Sequence, residues 1–314
     1  MNYRGKLIKR IKDMYLSSVA QGINIDPAKN IVVFSDPRGG STWITELIST
    51  IPNTAVIWEP LHINAVEIFG KIGFGWQQHI PEDEIWNEAY DALDKVFRGK
   101  VLNTWTTYLT SVQKLREANS LIIKFCRANA MIPWIVHNFK FEKKPIYLIR
   151  HPFAVVASQL AHGGWSHLPD IMPFNIPDTP FNDIFLEHEK FLRTIRYKDE
   201  VFVAIWCITN MVPLRHEKNN IDWITINYEE LVLNSRKTLD RILKEWEIDK
   251  EYLSYSFSKK SVTTEEGSPI NGMDQIRYWE EKLSTDQIKR MERVLNYFDI
   301  ECYTNDPLPS LIYS

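Results

Sequence analysis

The sequence predicts an α/β protein with a central, mostly parallel sheet flanked by helices. Short β-branched runs alternate with segments of helical periodicity, two of these runs end in polar turns that open a helix, and 314 residues at 44% hydrophobic content can bury a substantial core. Ile31–Phe34 reads as a buried strand ending in the turn Ser35–Gly40, after which Ile44, Leu47, Ile48 and Ile51 mark one helix face. Leu121–Phe125 is a second strand. Pro145–Ile149 is a third, followed by a turn at His151 and an apolar helix through Leu160, where Pro152 suits a first helical position. Trp223–Ile226 is a fourth, and the helix after Ser235 carries Leu239, Ile242, Leu243 and Trp246 on one face.

Between these units, residues 60–118 read as mostly helical and aromatic-rich, while residues 161–181, with Gly163, Gly164 and four prolines, read as an irregular loop. Ser284 with Gln287 forms a capping box before a last helix bearing Ile288, Met291, Leu295 and Phe298. No repeat or linker interrupts the chain, so residues 26–314 are expected to form a single domain.

Residues 1–25 are expected to form a basic amphipathic helix. Leu7, Ile8, Ile11, Met14 and Tyr15 recur there among Arg4, Lys6, Lys9, Arg10 and Lys12. The adopted reading packs this helix on the domain with its basic face in water; contact with a membrane surface or a partner is the alternative.

The 37 Lys and Arg nearly balance the 40 Asp and Glu, so no overall field points to nucleic acid or an anionic membrane, and any anion site must be local. Cys126, Cys207 and Cys302 fit neither a disulfide framework nor a zinc site, which favours a reducing compartment. With no apolar run long enough to span a bilayer and no signal-like start, the expectation is a soluble, cytoplasmic protein.

The chemistry concentrates in two turns. FSDPRGGSTW sets a Gly-Gly turn, two hydroxyls and Arg38 between a buried strand and a helix start, where unpaired amides and the helix dipole favour phosphate. The lysine of a P-loop ATPase is missing, because Ser41 directly follows Gly40. About 110 residues later PIYLIRHPFAVVASQL repeats the strand, turn and helix with another polar set. Arg150 there offers a planar fork for phosphate oxygens, and Ser158 offers a hydroxyl.

The segment from Pro37 to Trp43 resembles the 5′-phosphosulfate loop, P-[KR]-[SG]-G-[ST]-[ST]-[WL], of the sulfotransferases that use 3′-phosphoadenosine 5′-phosphosulfate (PAPS). Arg150 and Ser158 match that family's 3′-phosphate motif, R-x-P-x-x-x-x-x-S. TINYEELVLNSRKTLDRIL, RYWEEKLSTDQIKRMERVL and the K-x-x-R element in IIKFCRANA are also similar to family segments, so the resemblance spans about residues 30–300. It is closest in style to the carbohydrate-type enzymes.

The resemblance implies a P-loop-NTPase-like three-layer fold and transfer of a sulfuryl group from PAPS to a carbohydrate or other small hydroxylated acceptor, giving 3′,5′-ADP without a metal. It implies a donor site of Arg38, Gly39, Gly40, Ser41, Thr42, Trp43, Arg150 and Ser158, with Trp43 stacking on adenine. Lys124 matches the lysine near the transferred group. Cys126 stands where a better-known branch has a histidine base, so Glu59, in AVIWEPLHI, is the expected base and His62 its rival. A P-loop-related kinase or NTPase, or an inactive nucleotide- or carbohydrate-binding module of the same fold, are the competing readings.

Overall fold

The computed structural model describes residues 3–249, 261–264, 269 and 272–310. Five strands, β1 (Ile31–Ser35), β2 (Thr54–Trp58), β3 (Ser120–Phe125), β4 (Ile146–Ile149) and β5 (Ile224–Asn227), form one sheet in the order β2-β3-β1-β4-β5. Every pairing is parallel. Parallel strands need helical crossovers that cover both faces, so the strands read as continuous apolar runs rather than alternating ones.

Alternate residues feed two cores. Val32, Phe34, Ile57, Ile123, Tyr147 and Ile149 face one. Ile31, Val33, Val56, Ile122, Leu148 and Ile226 face the other, where Ile44, Leu47 and Ile48 of helix α2 (Ser41–Ile48) and Leu239, Ile242 and Leu243 of the Ser235–Glu245 helix pack. The first core is covered by helices Asn87–Phe97, Pro152–Ala161 and Lys198–Leu214, which completes a three-layer arrangement. The box at Ser284 forms as expected: Gln287 N donates to Ser284 Oγ (3.3 Å) and Ser284 N donates to Gln287 Oε1 (2.9 Å).

Three expectations are corrected. The sheet has a fifth strand, β2, whose five residues lie between a turn and the Glu59-Pro60 corner; its apolar run follows on α2 with no further helical segment between them to mark a new unit. Residues 60–118 are mostly non-helical, with three helices, Glu67–Lys71, Asn87–Phe97 and Val112–Glu117, because contacts among aromatic side chains, such as Phe69–Phe74 and Phe74–Trp86, fix the path instead of a continuous helix face.

The third concerns the first helix, α1 (Tyr3–Gly22); residues 1 and 2 of the expected segment lie outside the described residues. Among its described side chains, the buried apolar ones are Leu16, Val19 and Ala20, while Leu7, Ile8, Ile11, Met14 and Tyr15 face solvent. Its hydrophobic stripe is therefore not the face that packs on the domain.

β2 and β3 lie on one side of β1, and β4 and β5 on the other. The connections reverse direction at β1, and ligands of open parallel sheets bind at the carboxyl ends of the strands around such a reversal. The turns after all five strands meet there.

Candidate active site

A cleft of about 1000 Å³ opens at this edge. The loop after β1 shapes its floor. Gly40 has φ 97° and caps α2; a Cβ on it would come within 2.4 Å of the Tyr228 ring. A Cβ on Gly39 would stand 2.3 Å from Ser35 Oγ and 2.9 Å from Asp36 O. Both positions therefore require glycine, for conformation at the first and for space at both. No side chain caps α2; Trp43 N donates to Gly40 O (3.0 Å), which leaves the amides of Ser41 and Thr42, both lining the cleft, as the ones an anion can use. Ser41 and Thr42 are buried there, Trp43 lines the cleft edge-on to Tyr228, and Gly39 turns the chain without lining it.

The 3′-phosphate candidates stand beside this loop. Arg38 Nε donates to Ser158 Oγ (2.9 Å) and Arg38 Nη1 to Thr263 O (3.0 Å). Arg150 Nη1 donates to Arg38 O (3.0 Å), and its guanidinium stacks on Tyr228 with 4.3 Å to the ring centre. Among the described residues, Arg150 Nε is buried without a hydrogen-bond partner. Leaving such a donor unmade costs about 1–3 kcal/mol, which an anion seated against it would recover. Arg38, expected at the 5′ end, thus sits with Arg150 and Ser158 in one cationic cluster. Gln159 Nε2, donating to Pro37 O (3.0 Å), ties the two turns together.

The other expected residues gather at the ends of β2 and β3. The register that pairs Trp58 with Lys124, continued by Glu59 N donating to Lys124 O (2.9 Å), places both side chains at one point. Lys124 Nζ donates to Glu59 Oε1 (2.7 Å) and Cys126 Sγ (3.1 Å), and lies 3.7 Å from the centre of the Trp58 ring. Arg127 Nη1 donates to Glu59 Oε2 at 3.2 Å. Glu59 itself has φ 38°, a left-handed conformation that costs roughly 1–2 kcal/mol in a residue with a Cβ.

Burial raises the Glu59 pKa, but the charges of Lys124 and Arg127 outweigh it and hold the carboxyl at about 2. Lys124 keeps its charge: burial pulls its pKa down, and Cys126 and Glu59 more than restore it. Burial, with Glu59 nearby, pushes the Cys126 thiol up. His62 is half-buried between Trp76 and Trp105, with ring centres 4.9 and 4.4 Å away. Burial and the Arg127 charge lower its pKa, so the ring is neutral near pH 7; among the described residues its Nδ1 has no partner.

One group escaped the sequence reading. Asp36, next to the glycines, lines the cleft yet is buried, and burial raises its pKa to about 7 although Asn210 Nδ2 donates to Oδ2 at 3.0 Å. Asn210 sits on the Lys198–Leu214 helix and also accepts from Asn129 Nδ2 (2.9 Å) and from the Tyr147 hydroxyl (2.5 Å). The only signal was a carboxylate inside a phosphate loop. Among the described residues, no group of three or more His, Cys, Asp or Glu side chains is placed to hold a metal ion.

No family model matches the chain, and no curated protein matches it. Among solved structures it is similar to the mouse sulfotransferase SULT7A1 complexed with PAP, with a TM-score of 0.46 and 16% identity over 92% of this chain and 90% of that one. It is similar also to the sulfotransferase domain of the Synechococcus PCC 7002 olefin synthase, with a TM-score of 0.44 and 18% identity over 86% and 95%. A third, the sulfotransferase domain from the curacin biosynthetic pathway, gives 0.42 and 16% over 86% and 97%.

Proposed function

We propose that the chain is a sulfotransferase that moves a sulfuryl group from PAPS to a hydroxyl of a carbohydrate or other small hydroxylated acceptor and releases 3′,5′-ADP. One observation carries this reading: an open α2 start framed by two obligatory glycines and an Arg38–Arg150–Ser158 cluster share one cleft. Two anion cradles at one site suit a nucleotide phosphorylated at both ends. Residues 26–314 would act as one domain, and three buried cysteines outside any disulfide suit a cytoplasmic location.

In such a transfer the acceptor oxygen bonds to sulfur, the bond from sulfur to the 5′-phosphate oxygen breaks, and the acceptor proton passes to a base. Charge gathers on the leaving phosphate. The α2 amides meet it with donors that need no reorganisation, and Lys124 meets it by leaving Glu59. Glu59 is our base. While two cations face it, it is too weak to take a proton near neutral pH; a sulfonate that draws Lys124 away leaves the carboxylate with Arg127 alone and raises its basicity. His62 remains the rival, neutral and in the same cleft.

Thermal shift with 3′,5′-ADP, 5′-AMP and ATP–magnesium, each at the same concentration, tests the class. The bisphosphate should stabilise the protein most. A larger shift with ATP–magnesium would instead support a kinase, and no shift with any of the three would support a lapsed module.

A further inference from the structure

α1 carries an exposed apolar surface. Its C-terminal half is fixed to the domain by Leu16, Val19 and Ala20 in the core, by Lys100 Nζ donating to Gln21 O (3.3 Å), and by Thr104 N donating to Asp13 Oδ1 (2.7 Å). From that anchor the helix presents Leu7, Ile8, Ile11, Met14 and Tyr15 at 49%, 47%, 58%, 65% and 52% exposure. At about 100° per residue these five span a stripe roughly 120° wide, rotated some 130° from the anchoring residues. The stripe is held outward, away from the body of the protein.

Charge decides what covers it. Arg4, Lys6, Lys9, Arg10 and Lys12 stand against Asp13 alone, a net +4 on a chain whose total is −3, which leaves −7 on the rest. Arg10 and Lys12 border the stripe about 100° to either side of its centre. A convex apolar stripe bordered by cations matches a helix lying in the interface plane of a bilayer, with apolar side chains among the acyl chains and ammonium and guanidinium groups at anionic headgroups. None of the described helices is long and apolar enough to cross a membrane. We infer that α1 docks the protein on an anionic phospholipid surface through Leu7, Ile8, Ile11, Met14 and Tyr15, independently of what the cleft catalyses.

Vesicle co-flotation of the full chain tests this, comparing pure phosphatidylcholine with phosphatidylcholine containing about a third phosphatidylglycerol. The protein should float with the anionic vesicles at low salt and not with the neutral ones, and salt should weaken it. Ile11→Glu should reduce binding at least tenfold. Replacing Lys6, Lys9, Arg10 and Lys12 by Gln should reduce it by roughly fivefold for each charge removed. Because these positions lie outside the core, both variants should keep the wild-type melting temperature and the wild-type shift with 3′,5′-ADP. Absence of flotation at any anionic content overturns the inference, as does flotation that neither variant weakens. So does a wild-type dimer in sedimentation velocity that Ile11→Glu converts to monomer, since the stripe would then be covered by a second copy.

Discussion

On one side of the cleft, Arg38 and Arg150 direct hydrogen bonds to the Ser158 hydroxyl and to backbone carbonyls, and Arg150 Nε has no partner among the described residues. On the other, Lys124 and Arg127 both bond to the Glu59 carboxylate. Local sequence builds the first side: a strand, a turn and a helix, twice. Parallel register builds the second by bringing residues 65 and 68 positions apart to one point. In the proposed reaction the difference teaches that Arg150 is prepared to receive negative charge as it stands, whereas the Glu59–Lys124–Arg127 network is electrically closed and must open to act.

Glu59→Gln breaks the closed side most completely. If Glu59 takes the acceptor proton, the amide keeps the shape and removes the basicity, so turnover should fall by about 10²–10⁴-fold. It also leaves Lys124, whose side chain is only 2% exposed, without its carboxylate, so the variant should lose about 3 kcal/mol in denaturant unfolding. Affinity for 3′,5′-ADP should stay within about twofold. Near-normal turnover at saturating donor and acceptor removes Glu59 from the mechanism. His62→Ala is the control that would then be the inactive one.

Lys124→Met comes next. Methionine retains the packing on Trp58 but not the charge, and losing one donor to developing charge costs about 10²–10³-fold in turnover. Single-turnover rates at saturating PAPS would show it. A loss confined to acceptor KM would place Lys124 in acceptor binding instead.

The open side predicts a binding defect without a chemical one. Arg150→Ala removes a charge-assisted contact of about 1.5–3 kcal/mol, so 3′,5′-ADP should bind about tenfold or more weakly while 5′-AMP barely changes in calorimetric titration. Equal losses for both nucleotides would move Arg150 away from the 3′-phosphate.

The same contrast explains what was legible in the sequence. Gly40, Ser41 and Arg150 were readable because strand, turn and helix are contiguous, and the spacing in the chain is the spacing in space. The Glu59–Lys124–Arg127 network was readable only as separate candidates, since β2 went unrecognised and with it the register that joins them. Arg38 bonds across 120 positions to Ser158, a distance no local pattern encodes. The Lys198–Leu214 helix is buried over most of its surface and lacks a polar stripe, so neither its packing nor its Asn210 stood out.

Asp36 lines the same cleft, and it yields the smallest effect and the finest test. Burial lifts its pKa from 3.8 to about 7, the Asn210 bond only partly opposing this. A carboxyl raised in the folded state contributes stability fully below its unfolded pKa and loses it as pH climbs through about 7. The melting temperature of Asp36→Asn relative to wild type should therefore rise from pH 5 to pH 8 rather than stay level. A bound anion raises the proton affinity of Asp36 further, so binding takes up a proton above pH 7. Wild-type affinity for 3′,5′-ADP should consequently fall by about tenfold between pH 6 and pH 8, against the rise that phosphate ionisation alone would give at a cationic site, and Asp36→Asn should remove the fall. Parallel profiles for the two proteins would mean that Asp36 keeps its charge with the nucleotide in place, and that the loop accommodates a fixed carboxylate beside its anion.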